Sequence, residues 1–149
     1  MIHTRLSNKY DASVITDFQI KMAKETEGLE LDTNTVKNGV LSVYRDPNKG
    51  KYYVATEKDI IVASMLITRE WSDWRNSCVF WLQSVYVIPE KRGKGIFKQM
   101  YHHILKQVNE NNDVAGLRLY VDMKNISARE VYTKLGMNGD HYQVFEWMK

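Results

Sequence analysis

Cysteine and proline are scarce in this sequence, with one and two copies in 149 residues. A lone Cys78 can close no intrachain disulfide and joins no cysteine cluster, which excludes a disulfide scaffold and a cysteine-based zinc site. Its neighbours Val79 and Phe80 are apolar, so the thiol reads as buried and structural rather than nucleophilic. Long hydrophobic runs are missing too. No stretch approaches the roughly 18 apolar residues that a membrane span needs, and Met1 to Arg5 lacks the apolar centre of a signal peptide. The expectation is a soluble, cytoplasmic protein with no membrane partner. Histidine offers no metal pattern: His102 and His103 are adjacent on one helix and face apart, while His3 and His141 are isolated, so no metal is predicted. The chain also lacks repeats, linkers and low-complexity tracts. With 44% hydrophobic residues it reads as a single domain over 1–149, large enough to bury a core.

Strong net charge is absent as well. A formal +3 is too small to argue for a nucleic-acid partner, but its location is informative, because residues 90–98 carry four cationic side chains against one anionic. This excess sits on Val85-Tyr86-Val87-Ile88-Pro89-Glu90-Lys91-Arg92-Gly93-Lys94-Gly95-Ile96, where an apolar strand pattern enters a glycine-bearing turn and then a helix. Glycines let the backbone approach a ligand closely, and a helix start presents unpaired N–H groups and the positive end of its dipole. The stretch reads as a cradle for a compact polyanion.

The remaining elements follow from periodicity. Ile2–Leu6 is a first strand. Asp11 or Ser13 offers an N-cap, and Val14, Ile15, Phe18 and Met22 predict a helix over 12–25. An acidic connection, 25–32, leads to a second helix marked by Val36, Val40, Val43 and Tyr44 and stopped at Asp46-Pro47-Asn48-Lys49-Gly50. Residues 51–56 and 60–68 predict a hairpin, 69–77 a polar loop, and 78–88 a central strand covered on both faces. After the turn comes a helix over 95–110 and an alternating strand from Leu117 to Met123. A short helix over about 127–135, with Ser127 and Glu130 as a capping box, and a closing strand over 142–147 complete the chain. The order β-α-α-β-β-β-α-β-α-β predicts a mixed α/β domain of α+β type, its central sheet mostly antiparallel and flanked by helices.

Beyond the next strand, Asn125 to Gly136 has the spacing N-x-x-A-x-x-x-Y-x-x-x-G. With the Arg-Gly-Lys-Gly turn, and over essentially the whole chain in element order, the sequence resembles the GNAT family of acetyl-CoA-dependent N-acetyltransferases. The resemblance implies acetyl-CoA as donor. It maps the pyrophosphate contacts onto the main chain of Arg92, Gly93, Lys94, Gly95 and Ile96, and the pantetheine contacts onto Val85, Tyr86 and Val87. Asn125 matches a further cofactor contact, and Tyr132 the tyrosine near the thioester sulfur.

The chemistry asks for a proton donor to the departing thiolate, and a phenol with a reference pKa of about 10 suits it, which makes Tyr132 the expected catalytic acid. Tyr132 also fits simple packing, since Ala128, Val131 and Leu135 share its helix face. Some family members carry a glutamate on the central strand, where this chain has Gln83, so Glu70 is the substitute base, with a solvated loop carboxylate as the plain alternative. Glu25 and Glu27 on one side and Trp71, Asp73 and Trp74 on the other are the expected acceptor walls, suited to a small cationic amine. The same acids fit a helix-dipole role and the same indoles fit packing. Transfer by direct attack in a ternary complex is the leading function. A non-catalytic acyl-CoA sensor and a protein or peptide N-acetyltransferase are the alternatives, and the reading leaves room for a homodimer.

Overall fold

The computed structural model describes all 149 residues and divides the chain into two compact units, Met1–Arg118 and Leu119–Lys149. The first unit is a five-stranded sheet in sequence order: β1 (Ile2–Leu6), β2 (Lys51–Glu57), β3 (Ile60–Ser72), β4 (Ser77–Val87) and β5 (Val114–Arg118). Its first three pairings are antiparallel and β4 to β5 is parallel, so the sheet is mixed and mostly antiparallel as the sequence predicts. The parallel pair needs a crossover, which α3 (Ile96–Glu110) supplies.

Helices α1 (Ala12–Glu27) and α2 (Thr33–Arg45) cover one face, where Ala12, Ile15 and Val40 form a cluster with Tyr52 and Val54. On the opposite face, α3 buries Ile96, Met100, Ile104 and Val108 at a spacing of four, one apolar stripe of a 3.6-residue helix. Tyr53, adjacent to the α1-facing Tyr52 and therefore turned the other way, donates its hydroxyl to Gln107 of α3 at 3.0 Å.

Several local expectations change. Asp11, not Ser13, stands at the N-cap of α1, but its side chain makes no cap hydrogen bond there. Asn8 starts the helical segment by accepting from Tyr10 N–H, and Asp11 reaches back to the Asn8 amide at 2.9 Å while accepting two hydrogen bonds from Arg5 at 2.8 and 3.0 Å. The acidic connection begins later than predicted, because α1 runs to Glu27 before Gly28 ends it at φ 64°. Glu25 and Glu27 are therefore helical. The predicted 69–77 loop is mostly strand: β3 continues to Ser72 and β4 starts at Ser77, since the cross-strand pairs Arg69 with Phe80 and Trp71 with Cys78 extend the ladder. Cys78 is half-buried, not buried.

The second unit holds α4 (Ile126–Lys134) and no strand. The alternation over 117–123 yields only the Val114–Arg118 strand, displaced toward the N-terminus, and 142–147 is not a strand. Alternation marks what a segment is able to pair with, and a strand exists only where a partner takes its N–H and C=O groups.

Candidate active site

Strand β4 pairs with β3 along its whole length but with β5 only over Cys78 to Trp81. Its last six residues, Leu82 to Val87, therefore leave one edge without a strand partner. The orientation of that edge is fixed by Ile88, whose N–H donates to Val62 C=O at 3.0 Å on the β3 side. By alternation Val87 turns its own N–H and C=O outward, and Val85 does the same. A bulge sits beside them. The β3 to β4 register shifts between Ser64 and Leu66, and Ser84 takes φ 52°, a conformation costly for a residue with a Cβ. Nothing in the sequence marks Ser84 as special; the bulge follows from how β3 and β4 align.

The edge ends in a short 3-10 turn, Pro89–Lys91, followed by Gly93 at φ 72°, Gly95 at φ 74° and the first residue of α3. Both glycines need the left-handed region, and a Cβ at either would meet nothing within 4 Å, so its direction is open. The first backbone bond into α3 is Gln99 N–H to Gly95 C=O at 3.0 Å, and Gly95 provides no side-chain cap. The amides of Gly93, Lys94, Gly95 and Ile96 are thus presented together at a positive helix end, which is the donor set for a multiply charged phosphate. Arg92 departs from its expected place in that set. Its amide is used inside the turn, donating to Pro89 C=O at 3.2 Å.

The cations of the turn divide into two pairs. Lys91 is bonded to the Glu57 carboxylate and Arg92 to Glu25, whereas Lys94 and Lys98 are exposed. Arg92 Nη2 donates to Glu25 Oε2 at 2.6 Å and its Nε to Val87 C=O at 2.9 Å, and the guanidinium lies 5.4 Å from the Tyr86 ring centroid. The hydrogen bond from Arg92 holds the Glu25 carboxyl below the usual carboxylate range. Tyr86, 4% exposed, donates to Glu25 Oε1 at 2.9 Å. Burial, then the Glu25 carboxylate, pushes its phenol up.

The two predicted acceptor walls do not converge. Glu25 meets Tyr86 at one end of β4, while Trp71 pairs with Cys78 at the other, eight residues or about 26 Å along the strand. Trp71 and Trp74 are 62% and 90% exposed at the hairpin tip, and Asp73 is turned to the Trp74 amide at 2.9 Å. Glu27 is exposed on the last turn of α1. Glu70 does not fit the role of base. It pairs with Val79, six residues or about 20 Å from Val85, and accepts from Arg118 Nη1 at 2.5 Å, so a guanidinium occupies the carboxylate that would take the proton.

In the second unit, Asn125 caps α4 by accepting from the Ala128 amide at 3.1 Å, displacing the predicted Ser127 and Glu130 box. Its Oδ1 is therefore engaged within the helix start. Tyr132 lies in α4, half-buried, and desolvation pushes its phenol up from the ordinary value.

The family model "Acetyltransferase (GNAT) family" matches residues 17–137. A possible acetyltransferase from Clostridium difficile 630 is 40% identical, with a TM-score of 0.92 over 100% of this chain and 98% of that one. A predicted acetyltransferase from Clostridium acetobutylicum, solved with acetyl-CoA, shares the fold at 20% identity and TM-score 0.75, covering 98% of this chain and 96% of its own. AAC(6')-Iy, in complex with a CoA-S-monomethyl-acetylneamine bisubstrate analogue, shares it at 14% identity and TM-score 0.77, over 100% and 99%. No curated protein matches the chain.

Proposed function

From the premise that this chain belongs to the GNAT family of acetyl-CoA-dependent acetyltransferases, we propose that it acetylates a primary amine on a small cationic molecule by direct attack in a ternary complex. The observation that carries the reading is the open edge of β4 running into the Gly93 to Ile96 amide cradle. A linear ligand with amide groups and a diphosphate end matches both parts at once. The edge offers the Val85 backbone groups and the Val87 N–H to the arm, the Val87 C=O being held by Arg92, and the cradle offers its N–H groups to the phosphates.

The bound thioester supplies an activated acetyl group. The chain's own residues supply the rest. The outward N–H of Val87, or of Val85 beside the bulge, donates to oxygen as it gains charge. Tyr132 is the proposed proton donor to sulfur, and a raised phenol pKa keeps it protonated across the neutral range. Glu27, exposed on the last turn of α1, supplies the negative charge that favours a cationic acceptor, while Arg92 offsets the charge of Glu25 beside it. With Glu70 paired to Arg118, no side chain is assigned as base: the amine is taken up in its neutral form directly from solvent equilibrium, and the proton it sheds after attack returns to the Tyr132 phenolate, directly or through water, as the thiol leaves.

Acetyl-CoA should raise the thermal midpoint, because a ligand at 100 times its Kd adds about 2.7 kcal/mol. Thiol release should then follow with at least one member of a panel of small diamines and amino sugars. Tyr132→Phe is expected to lower kcat about 100-fold with acetyl-CoA affinity unchanged. An unchanged kcat would remove Tyr132 from the chemistry, and an absent thermal shift would remove the cofactor.

A further inference from the structure

We propose that Arg92 is a positioning residue rather than a phosphate ligand, and that with Glu25 and Tyr86 it forms a staple fixing the amide cradle to the end of α1. This inference rests on the acetyl-CoA reading only for its consequence; the staple itself is a property of the free protein. Arg92 is held through its amide, its Nε, its Nη2 and one face of its guanidinium. Its amide donates to Pro89 C=O at 3.2 Å, Nε to Val87 C=O at 2.9 Å and Nη2 to Glu25 Oε2 at 2.6 Å, with the plane of charge against the Tyr86 ring at 5.4 Å. The Nε bond reaches back five residues, from the start of the glycine turn to the last residue of β4, so it closes the Pro89–Lys91 turn from outside. Lys91 N–H to Ile88 C=O at 2.9 Å closes it from inside.

Glu25 completes the device. One oxygen receives Arg92 and the other receives Tyr86, whose ring packs on Phe18 of α1 at 5.0 Å between centroids. Three segments separated by 61 and 67 residues in sequence therefore meet at one carboxylate. A carboxylate and a carbonyl take one donor from Nη2 and one from Nε, and Glu25 offsets the charge of the guanidinium, so phosphate binding falls chiefly to the amides and to Lys94 and Lys98. Glu25 and Glu27 share the last turns of α1, the acceptor side in the proposed reading, so the staple joins the donor and acceptor halves of the site.

The two roles for Arg92 predict opposite behaviour of Glu25. A staple needs its carboxylate, so Glu25→Gln and Arg92→Gln should each weaken coenzyme A binding about fivefold, and the double variant should weaken it by the same fivefold. A phosphate-binding arginine would instead be restrained by Glu25, so Glu25→Gln would tighten coenzyme A while Arg92→Gln weakened it. That result overturns the proposal. In steady state, Glu25→Gln should raise the acetyl-CoA KM about fivefold.

Hydrogen exchange of the Lys91 and Arg92 amides in the free protein decides the matter without any ligand. Both single variants should speed these two amides about tenfold, and unchanged exchange overturns the staple. A wild-type protein that bound no coenzyme A would contradict the acetyl-CoA reading, with the exchange result still deciding the staple. Tyr86→Phe, which keeps the buried ring and removes only its hydroxyl, should give a smaller acceleration of the same amides and serves if Arg92→Gln does not fold.

Discussion

At the C-terminal end of β4, Lys91 and Arg92 are held by carboxylates from β2 and α1, whereas at its N-terminal end Trp71 and Trp74 stand largely in solvent on a hairpin that projects past β2. Both ends combine aromatic and charged residues. They differ in what the backbone does. At the C-terminal end the strand has lost its β5 partner and opens into a helix start, so main-chain groups are left to bind something. At the N-terminal end β4 is paired on both edges, with β3 from Ser77 and with β5 over Cys78 to Trp81, so its own groups there are consumed. A site needs groups that folding has not already satisfied, and side-chain type alone does not reveal where those are.

The contrast is tested most severely at Gly95. Gly95→Val places a β-branched residue at φ 74°, a true outlier worth about 1–2 kcal/mol, and so shifts the backbone that presents the amide set. Acetyl-CoA affinity measured by calorimetry should fall about 30-fold or more. An affinity within threefold of wild type would mean that the cradle is not the phosphate site.

Acid should release the C-terminal end and leave the other untouched. The Glu25 carboxyl is depressed in the folded protein, chiefly by the hydrogen bond from Arg92. Its contribution is therefore complete above the unfolded value of about 4.3 and lost as pH falls through the lower folded value. Amide exchange at Arg92, corrected for intrinsic rate, should accelerate below about pH 4 before global unfolding does. The hairpin-tip amides of Arg75 and Asn76, which donate to Ser72 and Asp73 carbonyls, should show no such step.

Glu70→Gln should alter kcat less than about threefold, where loss of a general base costs about 10²–10⁴. A hundredfold loss would return Glu70 to the chemistry and show that Arg118 moves away on binding. The smallest effect is expected at the tip. Trp74→Ala should shift stability by less than about 0.5 kcal/mol in urea melts and leave kcat/KM for small amines unchanged. A tenfold drop confined to larger acceptors would identify the hairpin as their docking arm.

Elements with strong local patterns were legible in the sequence: the α3 stripe at a spacing of four, the 57–60 hairpin turn and the second helix. In that hairpin Lys58 and Asp59 both take positive φ, at 49° and 65°, as a two-residue turn between twisted strands requires. Less legible were features set by a distant partner. The β3 extension through Arg69 and Trp71 depends on Phe80 and Cys78 lying opposite, and the alternation after Arg118 found no strand to pair with. The acceptor walls failed for the same reason, since residues of compatible chemistry were placed at opposite ends of one strand.

The sequence by itself determined the cradle, because glycines at 93 and 95 and an apolar helical stripe beginning at Ile96 dictate backbone angles and unpaired amides whatever surrounds them. Only the tertiary structure decided the fate of the charges beside it. Whether Arg92 reaches a phosphate or a carboxylate depends on α1 returning 67 residues away in sequence to place Glu25 within 2.6 Å, and no local pattern encodes a distance of that kind.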